Sequence, residues 1–327
     1  MRLETLLTRK LAIRHPLLLA PMDIVSDGNL AAAVTEAGGF GILGGGYGDE
    51  AWLTRELDVL AARSVRFGVG FITWSMAQKP KLLDLVLERK PVAVMLSFGD
   101  TAPFIDRIHA AGVLAICQVQ SMAIAHEALA AGADILVAHG TEGGGHGASR
   151  SMSTLVPEIV DMVADRAIVV ASGGIADHRG LAAALMLGAS GAVVGTRFYA
   201  STEAAGADAA KERIKAAVGD DAIRSIVFDI SRRTVWPAPF TGRCLRNAHL
   251  DAWYGRELDL LRRQDSEANK YAAARSAGNF DVAAVIADES AGLVHDIVPA
   301  RQIVERIVEG AASLLHGGPA RVSAATG

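Results

Sequence analysis

Two glycine-rich turns lie one helical stretch apart and could together bind a phosphate group. The first spans 171–176 and the second spans 194–197, where Arg197 adds a cation. The small and hydroxyl residues of the two turns are Ser172, Gly173, Gly174, Gly195 and Thr196. Glycines between a strand and a helix allow backbone N–H groups to approach an anion closely. Either turn alone is a weak signal, but the adjacent pair predicts a phosphate site.

A glycine-rich loop, 139–147, carries two histidines, His139 and His146. We interpret it as flexible backbone that closes over a planar ligand and presents His146 at its tip. The stretch 143–148 also fits a GxGxxA pattern, but that motif should directly follow the first strand of a βαβ unit. A metal site would need a third ligand beside two histidines spaced by seven residues. A structural or solvated role for His146 stays open.

Three further positions stand where predicted strands end. The turn Ala20-Pro21-Met22 follows the first apolar run and could line one face of a flat ligand. Gln118 places an amide at the end of another apolar run, and Trp74 could cover a ring or fill the core. Plain turn residues are the alternative interpretation of the first turn and of Gln118.

A pattern of a predicted strand followed by a predicted helix repeats from residue 17 to about residue 200. Apolar runs without alternation predict strands at 17–22, 40–43, 66–72, 93–97, 114–119, 134–138, 167–171 and 191–195. Helical stretches follow at 29–37, 50–62, 81–89, 103–111, 121–131, 154–164 and 178–187. Continuous apolar runs are typical of parallel strands that are buried on both faces. Repeated right-handed crossovers predict an α/β fold, the (β/α)8 TIM barrel, with an open doubly wound sheet as the competitor.

This pattern changes after the eighth strand. Residues 203–295 are charged and helical, with a helix expected over 257–270, and we interpret this region as a C-terminal helical insertion or lid. An amphipathic helix at 299–315 could serve as the eighth barrel helix. The predicted division is therefore a barrel made of 1–202 and 296–316, the inserted region, and a disordered tail at 317–327.

Composition restricts the classes of function. The 327 residues are 51% hydrophobic and 21% charged, with a net charge of −4, which is typical of a globular protein. The chain lacks the basic runs of nucleic-acid-binding surfaces and of polybasic membrane anchors. Two cysteines, Cys117 and Cys244, cannot form a disulfide framework. We therefore expect a cytoplasmic enzyme that binds neither nucleic acid nor membrane.

The combined pattern resembles the nitronate monooxygenases, formerly called 2-nitropropane dioxygenases. The resemblance runs from about residue 15 to residue 315 and is specific for a superfamily of flavin-binding barrels. It is carried by the Ala20-Pro21-Met22 turn and by the segments 33–41, 140–146, 171–175 and 195–198.

The resemblance implies FMN as cofactor and His146 as the catalytic residue. It places the flavin ring beside Ala20, Pro21, Met22 and Gln118, and the phosphate at Ser172, Gly173, Gly174, Gly195 and Thr196. The remaining candidate cofactor contacts are Gly70, His139, Gly140, Gly144 and Gly145. Two of these depart from the family pattern, since relatives usually carry Gln or Asp at His139 and often Asn at Gly70.

The implied reaction is the oxidation of alkyl nitronates, and of nitroalkanes if they are accepted, with O2 to a carbonyl compound and nitrite. His146 would hydrogen-bond the nitro oxygens or take the α-proton. The nearest alternative is an FMN-dependent NAD(P)H oxidoreductase of the enoyl-ACP reductase or quinone reductase type. A flavin-free phosphate-binding lyase or isomerase and a non-catalytic barrel are further alternatives. The inserted region could cover the site or form a dimer contact, so a homodimer stays open.

Overall fold

Eight parallel strands form the centre of the computed structural model, which describes residues 3–318. The strands of the chain are β1 Leu17–Leu19, β2 Ile42–Gly44, β3 Gly68–Ile72, β4 Ala93–Ser97, β5 Leu114–Val119, β6 Ile135–His139, β7 Gly145–Gly147, β8 Ile168–Ser172, β9 Ala192–Val194, β10 Ala222–Ser225 and β11 Thr241–Leu245. The large sheet runs in the order β1-β9-β8-β6-β5-β4-β3-β2. A parallel bridge between Leu18 and Phe40 joins β1 to the residues before β2 and closes the ring. The predicted TIM barrel is confirmed.

Helices cover the outside of the barrel. They are α1 Leu6–Leu11, α2 Gly28–Glu36, α3 Glu50–Ala62, α4 Thr73–Met76, α5 Lys81–Glu88, α6 Ala102–Ala110, α7 Met122–Ala130, α8 Met152–Val163, α9 His178–Met186, α10 Thr196–Tyr199, α11 Asp208–Ala216, α12 Val227–Ser231, α13 Ala248–Trp253, α14 Glu257–Arg262, α15 Gln264–Ser276 and α16 Ala300–Gly317. Asp49 caps α3 by accepting a hydrogen bond from the Trp52 N–H, which fixes where that helix begins. Helix α16 packs against α9 and α2 and completes the ring of helices.

Side chains that point into the barrel alternate with side chains that point to the helices. The inner cluster includes Leu18, Ile42, Met95, Ile116, Val137, Val170 and Val193. Burial of each such side chain contributes about 1.5–3 kcal/mol. Leu7 and Leu11 of α1 join the same cluster and close the amino-terminal end of the barrel. A ligand can therefore reach the strands only at their carboxyl ends.

The inserted region differs from the all-helical interpretation. It contains β10 and β11, which pair antiparallel with each other and with β7 in a second, three-stranded sheet. The helix predicted over 257–270 is divided into α14 and α15 at Arg263. The two strands escaped prediction because they are short and their partner lies in a glycine-rich loop, where strand propensity is low.

The last helix, α16, extends by one residue into the segment that was predicted to be a disordered tail. Gly317, the first residue of the predicted disordered tail, is the last residue of α16, while 319–327 lie outside the described residues. Within residues 3–318, no helix combines the length and the apolar character that crossing a membrane needs.

Candidate active site

The inward positions at the carboxyl ends of the strands carry several of the predicted site residues. They lie two residues beyond the apolar inner cluster, so the alternation along each strand turns them to the inside. These positions are Ala20, Gly70, Ser97, Gln118, His139, Ser172 and Gly195. Ser97 donates a hydrogen bond of 3.4 Å to Oε1 of Gln118. The fold thus brings small and polar groups together in one layer above an apolar interior.

The first turn is held in place by its own hydrogen bonds. The Ala20 N–H donates to the Val194 carbonyl, and the Ser26 hydroxyl donates to the Ala20 carbonyl at 2.7 Å. A Cβ on Gly195 would lie 3.3 Å from the Ala20 Cβ and 3.7 Å from the Met22 sulfur. The β1 and β9 turns therefore face each other closely, as a shared ligand site requires.

Gly70, a predicted cofactor contact, lies where a side chain would not fit. A Cβ at this position would lie 2.3 Å from the Cβ of Pro21, closer than two carbon atoms can approach. The missing side chain lets β3 and the β1 turn pack against each other. An Asn at this position, as relatives often have, would require Pro21 to move.

The glycine turn after β8 is shaped for backbone donors. Gly173 and Gly174 have φ values of +100° and +70°, which glycine adopts without strain. A Cβ on Gly173 would lie 2.9 Å from the Gly140 carbonyl oxygen. The start of α9 is not part of this cradle, because the Asp177 carboxylate already accepts from the Arg179 and Gly180 N–H groups.

Arg197, the cation expected at the phosphate site, forms its hydrogen bonds with another part of the chain. Arg197 donates to the Asp296 carboxylate at 2.6 Å and to the Asp296 carbonyl at 2.8 Å, so it braces the segment before α16. The groups that remain for an anion are the backbone of Gly173 and Gly174 and the hydroxyl of Thr196. The buried carboxyl of Asp288 lies near the same groups, and burial raises its pKa to about 6 although the Thr196 side chain and the Gly174 N–H oppose this rise.

His139 is a neutral, buried side chain at the end of β6. Its Nδ1 lies 3.0 Å from the Ser172 hydroxyl, while its Nε2 has no hydrogen-bond partner among the described residues. Burial, reinforced by the nearby Arg224, lowers the pKa of His139 to about 4. The next residue, Gly140, donates its N–H to the Ser172 carbonyl at 2.8 Å. The sixth loop therefore begins in direct contact with the glycine turn.

The loop that follows is more rigid than its glycines suggest. Residues 145–147 form β7 and pair with β11. Arg224 donates to the carbonyl oxygens of Thr141 and Gly143, at 2.8 and 3.1 Å. A Cβ on Gly144 would lie 2.7 Å from the backbone carbon of Ala287, so this glycine permits the inserted region to pack on the loop. The expectation of a flexible loop was wrong because these partners are remote in sequence.

His146 is buried and held on two sides. Its Nε2 lies 2.9 Å from Oδ2 of Asp229, and its ring stacks on Trp236 with 3.4 Å between centroids and 7° between planes. Asp229 also accepts a hydrogen bond of 2.6 Å from Arg232. Burial lowers the pKa of His146, and the hydrogen bond and charge of Asp229 oppose this effect. A histidine that is neutral near pH 7 and oriented by a carboxylate has the properties of a general base.

Aromatic side chains surround His146 at the mouth of the barrel. Phe98, directly after β4, lies edge-on to the His146 ring at 6.4 Å and to Trp236 at 5.1 Å. The Trp236 indole donates to the Tyr47 hydroxyl at 3.1 Å, which joins the inserted region to the loop after β2. Trp74, predicted to cover a ring or to fill the core, packs against Tyr47 and Trp236. Trp236 of the inserted region and Tyr47, Trp74 and Phe98 of the barrel loops together cover the site. We refer to these four side chains as the aromatic roof.

The FMN site that the family resemblance implies fits these residues. Buried polar atoms without a hydrogen-bond partner in the described chain collect near the carboxyl ends of β3, β5 and β6, and they belong to Thr73, Trp74, Gln120 and His139. Such atoms are costly unless a ligand or water satisfies them, and a flavin offers carbonyl oxygens and ring nitrogens. The glycine turn supplies a cradle that a Cβ would fill. In residues 3–318, no cluster of three His, Cys, Asp or Glu side chains could hold a metal ion.

Sequence reasoning missed the residues that complete the site from the inserted region. Asp229, Trp236 and Asp288 lie far along the chain from the loops that they contact. A lone Trp between exposed residues and Pro237 was the one available signal, because a large aromatic is seldom placed on an exposed loop without a partner. Asp229 and Asp288 had no comparable sequence signal, because the region around them is rich in charged residues.

Comparison with known proteins identifies the family. The family profile described as nitronate monooxygenase matches residues 4–67 and 67–310. A nitronate monooxygenase of Neurospora crassa is 32% identical over 90% of this chain and 89% of its own. A hydroxy-methyl-oxo-octahydro-indene-carboxyl-CoA dehydrogenase of Mycobacterium tuberculosis is 35% identical over 65% of this chain and 60% of its own. The structure of FabK from Thermotoga maritima matches with a TM-score of 0.83 and 30% identity, over 96% of this chain and 98% of that one.

The family profile covers most of the chain, and the Neurospora crassa relative matches over nearly its whole length. The chain therefore belongs to the nitronate monooxygenase family and is an oxidoreductase.

Proposed function

We propose that this chain oxidises alkyl nitronates with O2, using bound FMN, to a carbonyl compound and nitrite. The observation that carries the proposal is the buried His146, which Asp229 orients beneath an aromatic roof at the mouth of the barrel. A site that is lined by aromatic side chains and offers a neutral histidine suits a small, partly apolar anion such as a nitronate.

The residues of this chain would hold FMN along the carboxyl face of the barrel. The Ala20-Pro21-Met22 turn would line the ring, with Gln118 nearby, and the ribityl chain would pass Ser172 and His139. The backbone of Gly173 and Gly174, with Gly195 and the Thr196 hydroxyl, would bind the phosphate. Bound FMN would supply the electron-transfer chemistry that amino-acid side chains lack.

The proton chemistry would belong to His146. Because the Asp229 carboxylate accepts at Nε2, neutral His146 carries its proton there and keeps a lone pair on Nδ1. That atom could take the α-proton of a neutral nitroalkane, while the protonated ring could hydrogen-bond nitro oxygens. Stacking on Trp236 fixes the ring plane, so the imidazole is positioned before substrate arrives.

The direct test is a stoichiometric assay of the purified protein with an alkyl nitronate in air. We expect nitrite, the carbonyl compound and O2 consumption to appear together, and to require FMN. Nitrite formation that is no faster than with free FMN alone would contradict the proposed function.

The pH dependence should reveal the role of Asp229. Asp229→Asn removes a negative charge that raises the pKa of His146, and it leaves Arg232, whose charge lowers it, without its partner. The pKa of His146 should therefore fall further below its ordinary value. Neutral His146 is the active base, so activity that is lost on acidification should be lost at a lower pH in the variant than in the wild type.

The measurement is kcat/KM for a neutral nitroalkane as a function of pH. Asp134→Asn is a matched control, because Asp134 forms the same kind of pair with the exposed His109. The control should retain the wild-type profile. An acidic limb at the same pH in Asp229→Asn and in the wild type would show that Asp229 does not act through His146.

A second candidate function comes from the Mycobacterium tuberculosis relative, which is named a carboxyl-CoA dehydrogenase. Its identity to this chain supports an FMN-dependent reductase or dehydrogenase that acts on an acyl thioester with a nicotinamide. Anaerobic mixing with NADH or NADPH distinguishes the two functions. Rapid flavin reduction by a nicotinamide, together with none by nitronate, would favour the second.

A further inference from the structure

An acidic side chain lies where the cofactor phosphate is expected. Asp288 is 5% exposed, and burial raises the pKa of its carboxyl, while the nearby Gly174 N–H and Thr196 side chain oppose this rise. The Asp288 N–H in turn donates to the Thr196 oxygen at 2.9 Å. These are the donors that the paired glycine turns offer to an anion. The site is therefore already organised around a carboxylate.

Asp288 is fixed there by its place in the chain. It is the N-cap of the short 3-10 helix Glu289–Leu293 and accepts from the Ser290 N–H at 3.0 Å and from the Ser290 hydroxyl at 2.5 Å. The Glu289 N–H donates to the Glu142 carbonyl of the sixth loop. The inserted region thus carries the carboxyl to the glycine turn as part of a well-bonded segment.

The charges around Asp288 offer it little compensation. None of the ion pairs formed within residues 3–318 includes Asp288, and two arginines beside its neighbours in the fold have other partners. Arg243 pairs with Glu289 at 2.9 Å, and Arg197 pairs with Asp296 at 2.6 Å. Glu142, on the loop packed against the glycine turn, adds another acid and binds the Met152 N–H at 3.0 Å. A phosphate at this site would meet two acids, while Arg224 beside the loop is bound to the carbonyl oxygens of Thr141 and Gly143.

We propose that the Asp288 carboxylate competes with the cofactor phosphate for the donors of Gly174 and Thr196, so that FMN binds only when Asp288 becomes neutral or moves aside. This inference rests on the proposed function, because it takes FMN as the ligand of the glycine turns. Two anions cannot share the same donors without strong repulsion, because like charges at close range destabilise each other. Asp288 therefore sets how strongly this chain selects a phosphorylated flavin.

The proposal predicts a specific pH dependence. Burial raises the pKa of Asp288 to about 6 despite the hydrogen bonds that it accepts. Above this pH the carboxylate is charged and opposes the phosphate, while below it the neutral carboxyl no longer repels it. The wild type should therefore bind FMN more weakly than a variant without this charge. The difference in FMN affinity should be largest at alkaline pH and shrink as the pH falls below about 6.

The experiment compares FMN and riboflavin binding to cofactor-free wild type and Asp288→Asn, measured by flavin fluorescence. Asn is a good N-cap, so the variant should keep the helix Glu289–Leu293 and fold normally. Asp49→Asn is the matched control, because it also neutralises an N-cap aspartate but lies at the start of α3. The phosphate itself titrates with a second pKa near 6, and comparing proteins at each pH removes that common effect.

We expect Asp288→Asn to bind FMN about tenfold or more tightly than the wild type at pH values well above 6. Riboflavin affinity should be the same in both proteins, and the Asp49→Asn protein should behave as wild type. The FMN difference should narrow in acid.

Equal FMN affinity in the wild type and Asp288→Asn would overturn the inference while leaving the proposed function standing. An equal gain for riboflavin would also overturn it, because the effect would not involve the phosphate. Failure of every protein to bind either flavin would instead refute the proposed cofactor, and with it both proposals.

Discussion

His146→Ala is expected to lose turnover of nitronates and nitroalkanes while retaining bound FMN. General acid–base catalysis by a positioned histidine contributes roughly 10²–10⁴-fold, so kcat should fall by about that factor. The flavin should remain, because the His146 side chain contacts Asp229 and Trp236 and not the glycine turn. The measurements are steady-state nitrite production and the flavin content of the purified variant.

Two further variants distinguish the loss of catalysis from a loss of packing at His146. Removing a stacked, buried ring leaves a void, so His146→Gln tests the chemistry with most of the volume kept. His109→Ala removes a histidine that pairs with Asp134 on the exposed surface at the same 2.9 Å distance, and it should keep full activity. Turnover that survives in both His146 variants would remove this residue from the mechanism.

Gly173→Ala is expected to weaken FMN binding. The φ value of +100° is unfavourable for an L-residue, and the new Cβ would lie 2.9 Å from the Gly140 carbonyl oxygen and 3.1 Å from the Gly143 nitrogen. Relief of that contact must move the glycine turn away from the sixth loop. We expect the dissociation constant for FMN to rise at least about tenfold, measured by fluorescence titration.

Gly112→Ala separates the local effect from general backbone strain. Gly112 also has a positive φ, +71°, but a Cβ there would meet no atom within 4 Å, and the residue lies at the far end of the barrel, before β5. Each alanine carries the left-handed backbone cost of roughly 1–2 kcal/mol. Both variants should therefore lose stability, and only Gly173→Ala should lose FMN affinity. Equal cofactor affinity in the two variants would show that the glycine turn does not bind the flavin.

The barrel could be predicted because its signals are local. The strands Ala93–Ser97 and Leu114–Val119 and the helix Glu50–Ala62 match the predicted bounds at both ends. Continuous apolar runs mark strands that are covered on both faces, and caps such as Asp49 mark where helices start. The same periodicity placed the glycine turns at the carboxyl ends of neighbouring strands.

The roof of the site could not be predicted because its contacts are remote in sequence. Asp229 lies 83 residues from His146, and Asp288 lies 92 residues from Thr196. The pairing of β7 with β11 depends on backbone hydrogen bonds that glycines permit but do not encode. A sequence pattern can therefore locate the His146 loop without showing that Asp229 and Trp236 orient its side chain.

Arg197 is another residue whose contacts could not be predicted from the sequence. Arg197 follows Gly195 and Thr196, so its spacing favours a phosphate contact. The side chain instead turns to Asp296, because that carboxylate and its carbonyl offer two hydrogen bonds from the segment before α16. Only the folded chain reveals that an acid, Asp288, lies beside Thr196, to whose hydroxyl oxygen its N–H donates at 2.9 Å.

The visible spectrum of the FMN-loaded protein, recorded anaerobically before and after an alkyl nitronate is added, tests the central claim most directly. The account predicts a flavin spectrum that bleaches on addition of nitronate and returns when air is admitted, with nitrite formed in the same sample. A flavin spectrum that nitronate leaves unchanged, while NADH or NADPH bleaches it, would contradict nitronate oxidation as the reaction of this site.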